Sequence, residues 1–132
     1  MLHVIKTQDD PLIKYVKDDP VRPEIPADWR VSGNREILTL VDEEKNPLAM
    51  VCVAFCDTVP SSVEELLTDA IAPNTAIFYT IWSYANGGGK NLIQAAKDYI
   101  EDTYNHITRF VTLSPQTEMA KRFHLKNGAK IF

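Results

Sequence analysis

The stretch Asn86-Gly87-Gly88-Gly89-Lys90 separates an apolar, strand-like run from a helix-like run. The strand-like run covers residues 75–84, and the helical pattern covers residues 90–104. Glycine allows a positive φ and lets the backbone come close to a neighbour. The unpaired amides and the dipole at the start of a helix attract an anion. The sequence therefore predicts a phosphate-binding turn between a strand and a helix.

Apolar spacing on both sides supports these two elements. Residues 76–82 form a continuous apolar run, which is typical of a central strand covered on both faces. After the glycines, a single helical stripe contains Leu92, Ile93, Ala96 and Ile100. Without a ligand, the same glycines would simply make a tight connection, and Lys90 would be a solvated residue of the first turn instead of a phosphate partner.

Shorter segments extend this alternation along the chain. We expect further strands at residues 2–5, 35–41, 48–55, 107–113 and 129–132, and helices at residues 9–17, from residue 60, and at residues 117–126. The polar turn at residues 42–47 predicts an antiparallel hairpin. The proline-rich segment 18–33 is predicted to be a loop, with Trp29 as an anchor into the core or a wall of a cleft. The predicted order is β-α-β-β-(α)-β-α-β-α-β, a mixed α/β sandwich.

Composition limits the possible classes of protein. The chain of 132 residues predicts one domain, residues 1–132, with a single core. A net charge of −4 gives no basic surface that would indicate nucleic acid or an acidic membrane as a partner. No apolar run is long enough to span a bilayer, and residues 1–11 do not resemble a leader. We therefore expect a cytoplasmic protein.

The two cysteines are predicted to be small core residues. Cys52 and Cys56 lie on a predicted strand, where four residues separate their Cα atoms by about 13 Å. That distance is too long for a disulfide. Because no C-x-x-C motif or paired histidine lies nearby, we expect no metal site.

The order of elements and the glycine turn resemble the GCN5-related acyltransferases (GNAT), which bind acyl-coenzyme A. Their fingerprint is Arg or Gln, two residues, Gly, any residue, and Gly or Ala, directly before the long helix. It matches residues 84–89, with Tyr84 in place of the Arg or Gln. The resemblance implies a GNAT-like mixed, mostly antiparallel central sheet with helices on both faces. It also implies that coenzyme A or acyl-CoA, a small-molecule substrate, binds to Trp82, Ser83, Asn86, Gly87, Gly88, Gly89 and Lys90.

Three blocks are also similar, in the same order, to the catalytic domain of malonyl-CoA decarboxylase. They cover residues 76–81, 110–115 and 122–129. The resemblance places the catalytic serine and histidine of that family at Ser114 and His124. The chain departs from the family in lacking a helical segment between the last two blocks, the amino-terminal helical domain and the final strand.

The resemblance implies a separate role for each site residue in the decarboxylation of a malonyl thioester to an acetyl thioester. Ser114 would hold the leaving carboxylate by a hydrogen bond. His124 would deliver a proton to carbon, because histidine titrates near neutral pH. A backbone amide near Trp82 or Ser83 would stabilise the thioester oxygen, where negative charge develops.

Other interpretations of the same residues remain open. Ser114 before Pro115 would also suit an N-cap, His124 would also suit helix packing, and Trp82 would also suit the core. The same fold could transfer an acyl group to an amine, with Tyr15, Tyr79 or Tyr84 as the acid toward the thiolate. A non-catalytic acyl-CoA-binding module is a third possibility. An unpaired sheet edge after Lys130 predicts a homodimer.

Overall fold

The computed structural model describes residues 1–57, 72–85, 87–112 and 130–131. They form one six-stranded sheet with the order β1-β2-β3-β4-β5-β6. The strands are β1 (Leu2–Ile5), β2 (Arg35–Val41), β3 (Pro47–Cys56), β4 (Thr75–Ser83), β5 (Arg109–Thr112) and β6 (Lys130–Ile131). The helices are a 3₁₀ helix (Pro11–Asp18), α1 (Ala27–Arg30) and α2 (Gly88–Thr103). No helix within the described ranges is long and apolar enough to cross a bilayer.

Strand pairing confirms the predicted mixed, mostly antiparallel sheet. The strands β1 to β4 pair with one another in antiparallel fashion, and β2 and β3 form the predicted hairpin. The two remaining pairs, β4 with β5 and β5 with β6, are parallel. Because β4 and β5 are parallel, their carboxyl ends point toward the same end of the sheet, where α2 begins.

Helices cover both faces of the sheet, as predicted. The stripe of α2 packs on one face, with Leu92 and Ile100 fully buried near Val51 of β3 and Phe78 of β4. On the opposite face, Val16 of the 3₁₀ helix belongs to a second apolar cluster. Cys52 and Cys56 are free thiols buried in this second cluster, which confirms their prediction as core residues.

A β-bulge interrupts the pairing of β3 with β4. Cys52 pairs with Thr80, whereas Val53 pairs with Phe78, so Tyr79 is an extra residue in β4. Before the bulge, Ile77 packs on the face covered by the 3₁₀ helix, as does the bulged Tyr79 itself; after the bulge, Thr80 and Trp82 lie on that same face. The bulge therefore shifts the alternation of β4 by one residue.

Two predictions for the amino-terminal third are corrected. The helix expected at residues 9–17 is a 3₁₀ helix over Pro11–Asp18, begun by Asp10, whose side chain accepts the amide of Leu12. The segment expected to be a loop contains the short helix α1. Trp29 is 44% exposed and lines an open cleft with Asp9 and Asp28, so it is a cleft wall and not a core anchor.

Some predicted elements lie outside the described residues. They are the helix from residue 60, the helix at residues 117–126, and all but residues 130–131 of the last strand.

Candidate functional site

The glycine turn connects β4 with α2, as the sequence predicts. Gly87 occupies the N-cap position with φ 77°, a left-handed conformation that favours glycine. Gly88 lies directly against β3, and a Cβ atom there would come within 2.7 Å of the Leu48 carbonyl oxygen. Backbone conformation thus requires the first glycine, and close packing of helix on strand requires the second.

The start of α2 offers amide groups to an acceptor. Within the described residues, no side chain caps the helix. Among its first four amides, that of Gly88 donates to Ala85 O at 3.1 Å, and that of Asn91 donates to Gly87 O at 3.2 Å. Neither the Gly89 amide nor the Lys90 amide donates to a carbonyl of the described residues. Together with the exposed side chain of Lys90, they form a small positive end of the helix dipole.

The backbone of β4 presents Trp82 and Ser83 to opposite edges of the strand. The Tyr84 amide donates to Leu48 O at 2.8 Å, and the next pairs along the ladder are Ser83 with Ala49 and Trp82 with Met50. Antiparallel pairs alternate between hydrogen-bonded and non-hydrogen-bonded. It follows that the Ser83 amide points away from β3, toward the edge of β4 that pairs with β5. The described pairs between β4 and β5 end at Phe78, so Ser83 lies beyond them. The sequence predicts that the amide of Trp82 or Ser83 stabilises the thioester oxygen. Of these two amides, that of Ser83 has the orientation suited to this role.

The side chain of Trp82 is buried and anchors a hydrogen-bond chain to the surface. Its Nε1 donates to Tyr84 Oη at 2.9 Å, and that hydroxyl donates to Asp18 Oδ2 at 2.8 Å. The ring of Tyr15 meets that of Tyr84 edge-on, with centroids 5.9 Å apart. Burial, together with the Asp18 carboxylate, raises the pKa of Tyr84 to about 12, against the lowering effect of Trp82. Tyr84 is therefore a protonated hydroxyl at neutral pH.

The third candidate tyrosine has a different environment. Tyr79 is almost fully buried at the bulge, and its hydroxyl lies beside the Cys52 thiol. Burial raises the pKa of Tyr79 well above its usual value and the pKa of Cys52 to about 11, so both groups stay neutral. Its burial makes Tyr79 a poorer candidate than Tyr84 for contact with a substrate.

The sequence did not predict a buried ion pair beneath the bulge. Arg30 Nη1 donates to Asp19 Oδ2 at 2.6 Å, and both side chains are fully buried. Asp19 Oδ1 also accepts the Thr80 hydroxyl at 2.7 Å and the amide of Arg22 at 3.0 Å. Burial raises the pKa of Asp19, but these hydrogen bonds outweigh it, so the pKa lies below its usual value. Nothing in the sequence marked Arg30, because arginine in a loop is ordinarily exposed.

The same network fixes Arg22 against β4. Arg30 Nη2 donates to the Arg22 carbonyl at 2.7 Å, and Arg22 Nε donates to the Tyr79 carbonyl at 2.9 Å. The segment that the sequence predicted as a loop therefore contributes a guanidinium directly at the bulge.

Three predicted site residues, Asn86, Ser114 and His124, lie outside the described residues. Their roles stay predictions. Within the described ranges, no cluster of three or more His, Cys, Asp or Glu side chains is arranged to hold a metal ion.

Solved structures share this fold. Malonyl-CoA decarboxylase from Agrobacterium vitis is 24% identical, with a TM-score of 0.77 over 97% of this chain and 37% of the decarboxylase chain. Tetrahymena GCN5 is 13% identical, with a TM-score of 0.64 over 96% of this chain and 77% of that chain. The aminoglycoside N-acetyltransferase AAC(6')-Iy, in complex with CoA, is 11% identical, with a TM-score of 0.61 over 98% and 91% of the two chains. No protein-family model and no curated protein sequence matches the chain.

These similarities confirm that the chain has the GNAT fold. Within that fold it is similar to malonyl-CoA decarboxylase as well as to N-acetyltransferases. The chain spans little more than a third of the length of the Agrobacterium vitis decarboxylase.

Proposed function

We propose that the chain binds an acyl thioester of coenzyme A and decarboxylates a malonyl thioester to an acetyl thioester. The observation that carries the proposal is the similarity to malonyl-CoA decarboxylase over 97% of the chain. Sequence blocks similar to that family, at residues 76–81, 110–115 and 122–129, lend independent support.

Coenzyme binding follows from the turn and the strand edge. The phosphates would accept hydrogen bonds from the amides of Gly89 and Lys90, with added attraction from the Lys90 ammonium. The acyl-bearing arm would run along β4 on the edge that the Ser83 amide faces. A GNAT-fold acetyltransferase in complex with CoA supports this assignment of ligand.

The decarboxylation breaks the bond between the carboxylate carbon and the carbon next to the thioester. Carbon dioxide leaves, and the electron pair moves into the thioester enolate, so negative charge grows on the thioester oxygen. The Ser83 amide is suited to stabilise that oxygen. Ser114 would orient the carboxylate, and His124 would protonate the enolate carbon, as the sequence resemblance implies.

A second candidate function is acyl transfer from coenzyme A to an amine. The pair of Tyr84 and Asp18 favours it, because the protonated Tyr84 hydroxyl beside the glycine turn is suited to protonate a leaving thiolate. A non-catalytic acyl-CoA-binding module is the third possibility.

Titration calorimetry with malonyl-CoA and acetyl-CoA, with carbon dioxide release followed in the same samples, tests the proposal. We expect both thioesters to bind, malonyl-CoA to lose carbon dioxide, and Ser114→Ala and His124→Asn to abolish that release without abolishing binding. Product analysis with acetyl-CoA and amines tests the second candidate. Binding without either reaction would support the module, and no binding of either thioester would refute all three.

Lys90→Glu tests where the coenzyme binds. A negative charge at the start of α2 should stabilise the helix by about 0.3–1 kcal/mol while it repels the coenzyme phosphates. We expect weaker binding of coenzyme A with an unchanged or higher melting temperature. Lys6→Glu is the matched control, because Lys6 is exposed at the end of β1 that lies away from the glycine turn. Equal effects of the two substitutions on affinity would contradict the assigned position.

A further inference from the structure

Arg22 carries a positive charge that forms no ion pair within the described residues. The network under the bulge contains the cations Arg22 and Arg30 and the anion Asp19, so two positive charges against one negative leave a surplus of one. The Asp19 carboxylate already forms an ion pair with Arg30, at a distance of 2.6 Å. Neither ion pair found within the described ranges includes Arg22. The Arg22 guanidinium is therefore available to an anionic partner.

Arg22 lies at the edge of β4 just past its last described pair with β5. Its Nε donates to the carbonyl of Tyr79, the extra residue of the bulge. Pairing with β5 within the described ranges ends one residue earlier, at Phe78 with Thr112. The guanidinium thus stands on the same strand edge that the Ser83 amide faces, four positions toward the amino end of β4.

The position of Arg22 is fixed before any ligand arrives. Its amide donates to Asp19 Oδ1 at 3.0 Å, and its carbonyl accepts Arg30 Nη2 at 2.7 Å. With Nε held by Tyr79, both Nη groups remain available within the described part of the chain. A guanidinium held in this way presents a planar pair of donors, which matches the two oxygens of a carboxylate.

We propose that Arg22 is a specificity-determining residue that selects acyl thioesters whose acyl group ends in a carboxylate, such as malonyl over acetyl. The inference rests on the proposed function, since it requires the acyl group to lie along β4. Arg22 Nη1 and Nη2 donate to the carboxylate while Nε stays on the Tyr79 carbonyl.

This contact is expected to act on binding and not on the chemical step. Decarboxylation removes the negative charge from the carboxylate, so an ion pair to that group is strongest in the bound substrate. Removing it should raise KM for malonyl-CoA without lowering kcat.

Calorimetric titration of Arg22→Gln with malonyl-CoA and acetyl-CoA tests the inference. We expect malonyl-CoA to bind about ten- to a hundredfold more weakly, the usual effect of losing a charge-assisted hydrogen bond. Acetyl-CoA should bind within about twofold of the wild type. Arg22→Lys keeps the charge without the planar donors. It should weaken binding of malonyl-CoA selectively, but by less than Arg22→Gln does. Lys17→Gln, which removes a charge from the neighbouring 3₁₀ helix, should leave both affinities unchanged.

The possible outcomes distinguish failure of the specificity role of Arg22 from failure of the proposed function. If both thioesters lose affinity equally in Arg22→Gln, Arg22 contacts the coenzyme phosphates or supports the fold, and the inference is wrong. It is also wrong if the variant keeps the wild-type preference for malonyl-CoA. If the wild type binds neither thioester, the proposed function fails and the inference fails with it. Melting temperatures of both Arg22 variants show whether the fold is retained.

Discussion

At the scale of single residues, neighbouring glycines have different physical reasons to be glycine. Gly87 has φ 77°, with nothing within 4 Å of the place where a Cβ would stand. Gly88 has no positive φ, but its Cβ would collide with the backbone oxygen of Leu48. A substitution at Gly88 that abolishes coenzyme binding would therefore report on packing as much as on phosphate contact.

Gly88→Ala should lower the free energy of unfolding by about 1–3 kcal/mol. The physical reason is that the backbone of β3 must move, because a carbonyl oxygen at 2.7 Å cannot turn aside as a flexible side chain would. Urea denaturation measures the change. Gly87→Asn is the matched control and should cost less, since asparagine tolerates the left-handed conformation. An unchanged midpoint for Gly88→Ala would contradict the close packing.

At the scale of elements, the bulge in β4 decides which side chains of this strand face the 3₁₀ helix. It places Thr80 and Trp82 on the face of the 3₁₀ helix, where Asp19 accepts a hydrogen bond from Thr80. The segment after the 3₁₀ helix is thereby fastened to β4 through the buried pair of Asp19 and Arg30. The bulge and this segment form one unit, and that unit positions Arg22.

Asp19→Ala should destabilise the protein by about 3–5 kcal/mol, because it leaves the charge of Arg30 buried without a partner. Asp18→Ala is the neighbouring control; it removes only an exposed hydrogen bond to Tyr84 and should cost about 1 kcal/mol or less. Chemical denaturation of both variants measures the difference. Equal costs would show that the ion pair does not hold the segment.

The same pair predicts a dependence of stability on pH. Since the pKa of Asp19 is lower in the folded than in the unfolded protein, its stabilising contribution is complete above the unfolded pKa of about 3.9. It is lost as the pH falls below that value and through the folded pKa. The unfolding free energy of Asp19→Ala, measured from neutral pH downward, should decrease less steeply in acid than that of the wild type. Parallel curves would contradict the assignment.

At the scale of the whole molecule, the six described strands leave two outer edges of the sheet. One is β1, which pairs only with β2 among the described strands, and the other is β6, which pairs with β5. An open edge is a template for another strand. We therefore retain the prediction of a homodimer through the β6 edge.

Light scattering over a range of micromolar concentrations tests the homodimer. We expect a mass that rises to twice the chain mass of 14.9 kDa as the concentration increases. A constant monomer mass for the wild type would refute the prediction.

Much of the fold was predictable because its signals are local. The hairpin of β2 and β3, the central strand β4, the glycine turn and α2 each follow from apolar spacing and glycine placement within one segment. Side-chain contacts and burial that arise only in the folded chain were not predicted. The sequence showed no partner for His3, whose Nε2 lies 2.7 Å from Asp10 Oδ2 in the folded chain. Trp29 was a candidate for the core, yet Arg30 is the residue that is buried.

The amino-acid sequence by itself determined the mixed α/β architecture, the position of the glycine turn and the resemblance to the GNAT fold, because all of these depend on short-range patterns. Only the tertiary structure decided the bulge at Tyr79, the buried pair of Asp19 and Arg30, and the place of Arg22 on the edge of β4. A continuous apolar strand carries no mark of a shifted register. A charged side chain in a loop becomes a buried anchor only when folding brings a complementary charge and backbone carbonyls within hydrogen-bond distance.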